Sequence, residues 1–248
     1  MSLAVLKPSA SVAPAWPAGV WSADRLDAAV RRTWSSGFAP LDAVLPGGGW
    51  PAHALTEILG EPDGGTEWRL LAPVLASLAR EGRELLLVGP PHPPHLPGLV
   101  AWGLPARQLV WLQARAPAER LWSTEQLIKA RTGGAVLAWL PQARGPQLRR
   151  LQVLAAEHDA PVFICRPAQA AHQASPAPLR LKTRAQPDWG IELELLKRKG
   201  PPLARPLRLQ VVPPGLAAVL PPRLWPLPRP STEPARVVVR PVSEPVLH

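Results

Sequence analysis

Five short runs dominated by apolar residues punctuate the first two thirds of the chain: 54–59, 85–88, 109–112, 135–140 and 162–165. Runs of this length are expected of strands buried on both faces of a parallel sheet. Segments of helical period lie between them. Over 67–80, Trp68, Leu71, Leu75 and Leu78 fall at i, i+3, i+7 and i+10, one face of a helix. Pro73 should kink that helix or delay its start, and Gly82 stands where a C-terminal glycine cap belongs. A second helix is predicted over 117–132, with Pro117 in its first turn and Gly133-Gly134 ending it. Leu148, Leu151 and Ala155 mark a third over 146–157. This alternation predicts an α/β fold, a mainly parallel sheet flanked by helices.

Beyond a loop at 166–178 the pattern changes. Residues 179–183, 189–197 and 207–212 alternate apolar and polar, as expected of antiparallel strands added to one edge of the sheet. Three regions follow. Residues 1–35 form an N-terminal segment with a short helix from Ser22 to about Thr33. Residues 36–212 form the α/β domain. Residues 213–248 form a basic tail, expected to be extended, because 13 of the chain's 35 prolines lie in 201–248.

The loop between the first strand and the first long helix carries the candidate chemistry. Gly60-Glu61-Pro62-Asp63-Gly64-Gly65-Thr66-Glu67 has the outline of a phosphate-binding loop, G-x-x-x-x-G-K-[ST], in the strand–loop–helix setting that such a loop needs. Gly60 and Gly65 fall on its two glycines. Thr66 stands in place of the lysine, and Glu67 in place of the hydroxyl that ligates magnesium. Without the lysine no fixed cation meets the β- and γ-phosphates, and the Glu67 and Asp63 carboxylates repel a polyanion. The free N–H groups of the helix are expected to be satisfied by Thr66 or Glu67 as a cap.

The sequence before this loop, Ser36-Gly37-Phe38-Ala39-Pro40-Leu41-Asp42 and then Gly47-Gly48-Gly49, resembles the lead-in of RecA-type recombinases, and Leu55 to Gly60 is similar to that family's strand into its phosphate loop. The resemblance is good over 36–88 and looser to about 165. It implies two further acidic positions. After the strand at 85–88 the chain reads Gly89-Pro90-Pro91-His92-Pro93-Pro94-His95, without a carboxylate, and the magnesium aspartate is replaced near Leu140-Pro141. Loop, base and metal ligand are thus all missing.

A RecA-like domain with an erased ATP site resembles ImuA, a family often grouped with SulA. That resemblance implies a non-catalytic adaptor in SOS-induced translesion synthesis, without cofactor or metal. Its implied partners are an ImuB-like inactive polymerase, RecA, an error-prone replicative-type DNA polymerase and DNA itself. Two alternatives stand beside it: a SulA-type inhibitor of cell division that binds the division GTPase, and a residual DNA-dependent ATPase.

Charge sharpens the picture only at the C-terminal end. Of a formal net charge of +10, residues 181–248 carry +6. Lys197, Arg198 and Lys199 sit at a predicted turn, with Arg205 close behind, and Trp225 is the best anchor in the tail; these are the candidate DNA or partner contacts. His92 and His95 read as loop histidines, and Cys165, the one cysteine, as a small buried hydrophobe. With one cysteine, no intrachain disulfide can form. No secretory signal or membrane span is legible, so a cytoplasmic, nucleoid-associated location is expected.

Overall fold

The computed structural model describes residues 32–61, 65–187, 189–217 and 219. The helix expected from Ser22, apart from its last two residues, and the tail anchor Trp225 lie outside the described residues. Thr33 does not end a helix. It pairs instead in a two-stranded antiparallel sheet of β1 (Thr33–Trp34) and β2 (Trp50–Pro51). Between them lies α1 (Ala39–Asp42). The Leu-Asp lead-in has a structural task here: Leu41 is buried, and Asp42 accepts the Ser36 N–H at 2.8 Å and the Ser35 hydroxyl at 2.6 Å.

The main sheet has eight strands. In chain order they are β3 (Leu55–Gly60), β4 (Leu85–Val88), β5 (Leu109–Leu112), β6 (Ala135–Trp139), β7 (Val162–Pro167), β8 (Leu179–Ala185), β9 (Gly190–Lys197) and β10 (Leu207–Gln210). Their order across the sheet is β10-β9-β8-β3-β7-β6-β4-β5. From β8 to β5 every pairing is parallel; β9 and β10 are antiparallel. β8 is therefore not antiparallel to its β3 neighbour, as its alternating pattern suggested. A half-buried strand shows the same period of two in either orientation, and only the crossover through 166–178 sets its direction. That crossover holds a 3-10 helix at Ala168–His172 where an open loop was expected.

Period two now has a physical meaning. On β4, β6 and β7 successive residues alternate between two apolar layers. Leu85, Leu87, Leu137, Phe163 and Cys165 face one layer; Leu86, Val88, Val136, Val162 and Ile164 face the other. The first layer is closed by α2 (Thr66–Arg80), through Leu71, Leu75 and Leu78, and is joined by Leu99 of α3 (Leu96–Ala101). The second is closed by α4 (Pro117–Ala130) and α5 (Gly145–Ala155), through Ile128, Leu148 and Leu151. Each fully buried Leu or Phe stabilises the fold by about 1.5–3 kcal/mol relative to exposure. Trp50 meets Phe163 edge-on at 5.4 Å and fastens the small sheet to the large one.

α2 accommodates Pro73 within its length, and its end is a Schellman turn: the Arg83 N–H reaches the Leu78 carbonyl at 3.0 Å and the Gly82 N–H the Ala79 carbonyl at 3.0 Å. α4 stops before the glycine pair, with Arg131 itself in the left-handed region at φ 49°. The proline-rich stretch after β4 contains α3, which the sequence did not announce. His95 starts it, its Nδ1 accepting the Gly98 N–H at 3.2 Å. A short C-terminal turn, α6 (Pro214–Ala217), follows β10. Among the described residues no helix is long and apolar enough to cross a membrane.

Candidate functional site

In an open parallel sheet, ligands bind beyond the carboxyl ends of the strands where the strand order reverses. Here that place lies at the ends of β3, β6 and β7. It holds a cleft of about 100 Å³, lined chiefly by Ile58, Gly60, Glu61, Glu67, Trp139 and Cys165. Ligand pockets for drug-sized molecules run from roughly 300 to 1,000 Å³, so this one is too small for a nucleoside triphosphate as it stands.

The loop residues make the reason chemical as well as geometric. Gly65 occupies the N-cap position of α2 at φ 53°, and no side chain caps the helix from there. The expected cap by Thr66 does not form, because the Thr66 hydroxyl turns sideways to the Thr183 hydroxyl on β8, 2.8 Å away and buried. Gly60 is held just as tightly: a Cβ added there would lie 2.7 Å from the Thr183 Oγ1. Glu67 comes closer to the capping role, with its carboxyl against its own backbone N–H. It is only 7% exposed, and Trp139 Nε1 donates to its Oε1 at 3.2 Å. Burial raises the Glu67 carboxyl above the ordinary carboxylate range, while its own N–H and the Trp139 indole pull it back. Trp68 stacks at a tilt on Trp139, ring centres 5.4 Å apart, and walls the carboxyl in.

Cys165 lies beside them, free and buried, and both desolvation and the Glu67 charge hold its thiol well above its usual range. It carries no reactive thiolate at neutral pH. Leu140, at the position implied for the magnesium aspartate, is buried.

Two cations line this cleft, Arg120 and Arg166. Arg166 of β7 is already held by Glu57 of β3. Arg166 Nη1 meets Glu57 Oε1 at 2.9 Å and Arg180 Nε meets Oε2 at 2.6 Å, with the Glu57 side chain fully buried. Arg166 Nη2 also donates to the Ala143 carbonyl and the Gln173 side chain, and Arg180 Nη2 to the Ala170 carbonyl, while Arg166 Nε is buried without a hydrogen-bond partner among the described residues. This ion triad staples β3, β7 and β8 together, and sequence reasoning missed it. The signal was present in a glutamate inside an apolar strand, followed by arginines in two later ones.

The basic turn is only partly a free surface. Arg198 Nη1 donates to the Val44 carbonyl at 2.6 Å and its Nη2 to Pro201 at 2.5 Å, so its guanidinium ties β9 to the segment after α1. Lys197 Nζ donates to Ser175 at 3.0 Å. Lys197, Lys199 and Arg205 are exposed. The turn lies outside the cleft lining. Among the described residues no group of three or more His, Cys, Asp and Glu could hold a metal ion.

No family model matches the chain. Over 112 residues, 45% of its length, the chain is 30% identical to the cell division inhibitor SulA of Photorhabdus laumondii subsp. laumondii; that match spans 63% of the SulA protein, under two thirds of it.

Proposed function

We propose that this chain is a non-catalytic, RecA-like docking protein of the bacterial SOS response. The observation that carries this is the state of Glu67. The strand, the two glycines and the helix of a phosphate loop persist, while the position that should meet magnesium holds a buried carboxyl bonded to Trp139. Such a site supports scaffolding over hydrolysis, because Thr66 and Glu67 stand where the loop lysine and the magnesium-binding hydroxyl would be. The likeness to SulA supports the SOS setting. In this reading the chain is an ImuA-type adaptor for an ImuB-like protein, RecA and an error-prone replicative-type polymerase, acting in the cytoplasm at the nucleoid. Lys197, Arg198, Lys199, Arg205 and Trp225 are its proposed partner or DNA contacts.

The SulA match itself favours a second reading, an inhibitor that binds the division GTPase. Pull-down of the purified full chain against RecA, an ImuB-like protein and the division GTPase separates the two. Retention of RecA or the ImuB-like protein alone supports the adaptor, and retention of the GTPase alone supports the inhibitor. Retention of none refutes both.

A further inference from the structure

A second cleft opens at the same edge of the sheet, on the opposite side of Arg120. Its volume is about 480 Å³, and its walls come from the segment entering α4 and from the 140–147 stretch between β6 and α5. Three arginines line it: Arg115, Arg120 and Arg144. Among the described residues none of the three side chains makes an ion pair. Arg120 Nε donates to the Ala114 carbonyl at 3.1 Å, and Arg115 and Arg144 use only their backbone N–H groups, toward Glu119 and Gln147. Glu119, the nearest acid in sequence, is turned onto the Arg115 and Ala116 N–H groups.

Arg120 is held in place. It lies over Gly89, at the exit of β4, which has φ 57°; a Cβ there would sit 2.6 Å from the Arg120 Nε. A bare glycine and a carbonyl thus fix one guanidinium, which lines both clefts. Three arginines against one nearby carboxylate, Glu119, leave the groove net positive, which raises the local potential and favours an anion in the gap. Ala118 and Leu121 line the groove, and outside that lining Trp122, one turn along α4 from Ala118, is 64% exposed.

We propose that this groove binds the backbone of single-stranded nucleic acid, with Arg115, Arg120 and Arg144 on phosphates and Trp122 as a stacking platform for a base. A basic channel joined to an exposed aromatic is the pairing that single strands use and that an acidic peptide does not need. The proposal goes beyond the docking reading and does not depend on it: an adaptor without this groove, or the groove without an adaptor, would each give a distinct result. It places the principal nucleic-acid contact away from the turn at Lys197 to Lys199.

The test is fluorescence anisotropy of the full chain with a labelled oligothymidylate of about 20 nucleotides, across a salt series. Arg115→Ala/Arg144→Ala should weaken binding by about tenfold or more at low salt and flatten the log–log salt slope by about 1.4, at roughly 0.7 per lost phosphate contact. Trp122→Ala should weaken it about 5- to 100-fold with little change in slope. A charge-matched control at the opposite edge, Arg107→Ala/Lys129→Ala, should stay within about twofold. All replaced side chains are exposed, so matching melting curves confirm the folds. The proposal is overturned if the wild type does not bind, if the control loses as much as the groove variants, or if polyglutamate displaces the oligonucleotide as well as unlabelled oligothymidylate does.

Discussion

Two clefts share Arg120 and Pro141 as walls, yet only the first has carboxylates in its lining. The cleft at β3 keeps the strand, the two glycines and the helix that flank an anion loop, and has a buried acid inside it. The groove between α4 and α5 has no such flanks, but three arginines and no carboxylate are among its lining residues. Backbone shape and electrostatics have come apart, and the comparison teaches that the second decides what a cleft can hold. Arg166 makes the point most sharply. It lines that first cleft, but Glu57, one carboxylate shared with Arg180, pairs with it and offsets part of its charge.

The largest effect should come from breaking that pairing. Glu57→Ala leaves two buried guanidiniums without their carboxylate and should cost about 3–5 kcal/mol in denaturant unfolding. Next is Gly89→Ala, which forces a Cβ into the Arg120 side chain at a positive φ and should cost about 1–3 kcal/mol. It should also displace Arg120 and so blur the two clefts, weakening oligonucleotide binding in parallel.

Arg198→Ala should cost about 1 kcal/mol, since it removes hydrogen bonds to Val44 and Pro201, whereas Lys197→Ala should stay within about 0.5 kcal/mol. If the turn also meets DNA, replacing Lys197, Arg198 and Lys199 together lowers the salt slope of binding; an unchanged slope makes it a structural corner only.

Glu67→Gln gives a subtler, pH-dependent signature. The native carboxyl holds its proton to higher pH than the unfolded one, so ionisation costs wild-type stability as pH rises from the unfolded value through the raised native one. Glutamine keeps an acceptor for Trp139 and removes that loss. The stability of the variant relative to wild type should therefore climb across this window and level off on either side. A flat difference would mean that burial does not govern this group.

The βα alternation was legible because strands buried on both sides leave unbroken apolar runs, and the Schellman end of α2 because Gly82 is its signature. The direction of β8 was not, since alternation of side chains is blind to orientation. α3 was hidden by Pro93, Pro94 and Pro97, which read as loop although a proline is welcome in a first helical turn. The degenerate loop was visible residue by residue, and the consequence of Thr66 was not: its partner Thr183 is 117 residues away. The arginine groove was equally invisible, because Arg115 and Arg120, around the start of α4, meet Arg144, just before α5, only in the fold. Basic runs in sequence pointed to 197–199, where Lys197 and Arg198 are tied to backbone carbonyls.

The central claim is that the cleft at Gly60 to Glu67 no longer accepts nucleotide. Isothermal titration of the full chain with magnesium–ATP tests it most directly. No saturable heat up to about 1 mM, a binding free energy weaker than about −4 kcal/mol, is the expected result. Micromolar, magnesium-dependent binding that Glu67→Ala alters would contradict it.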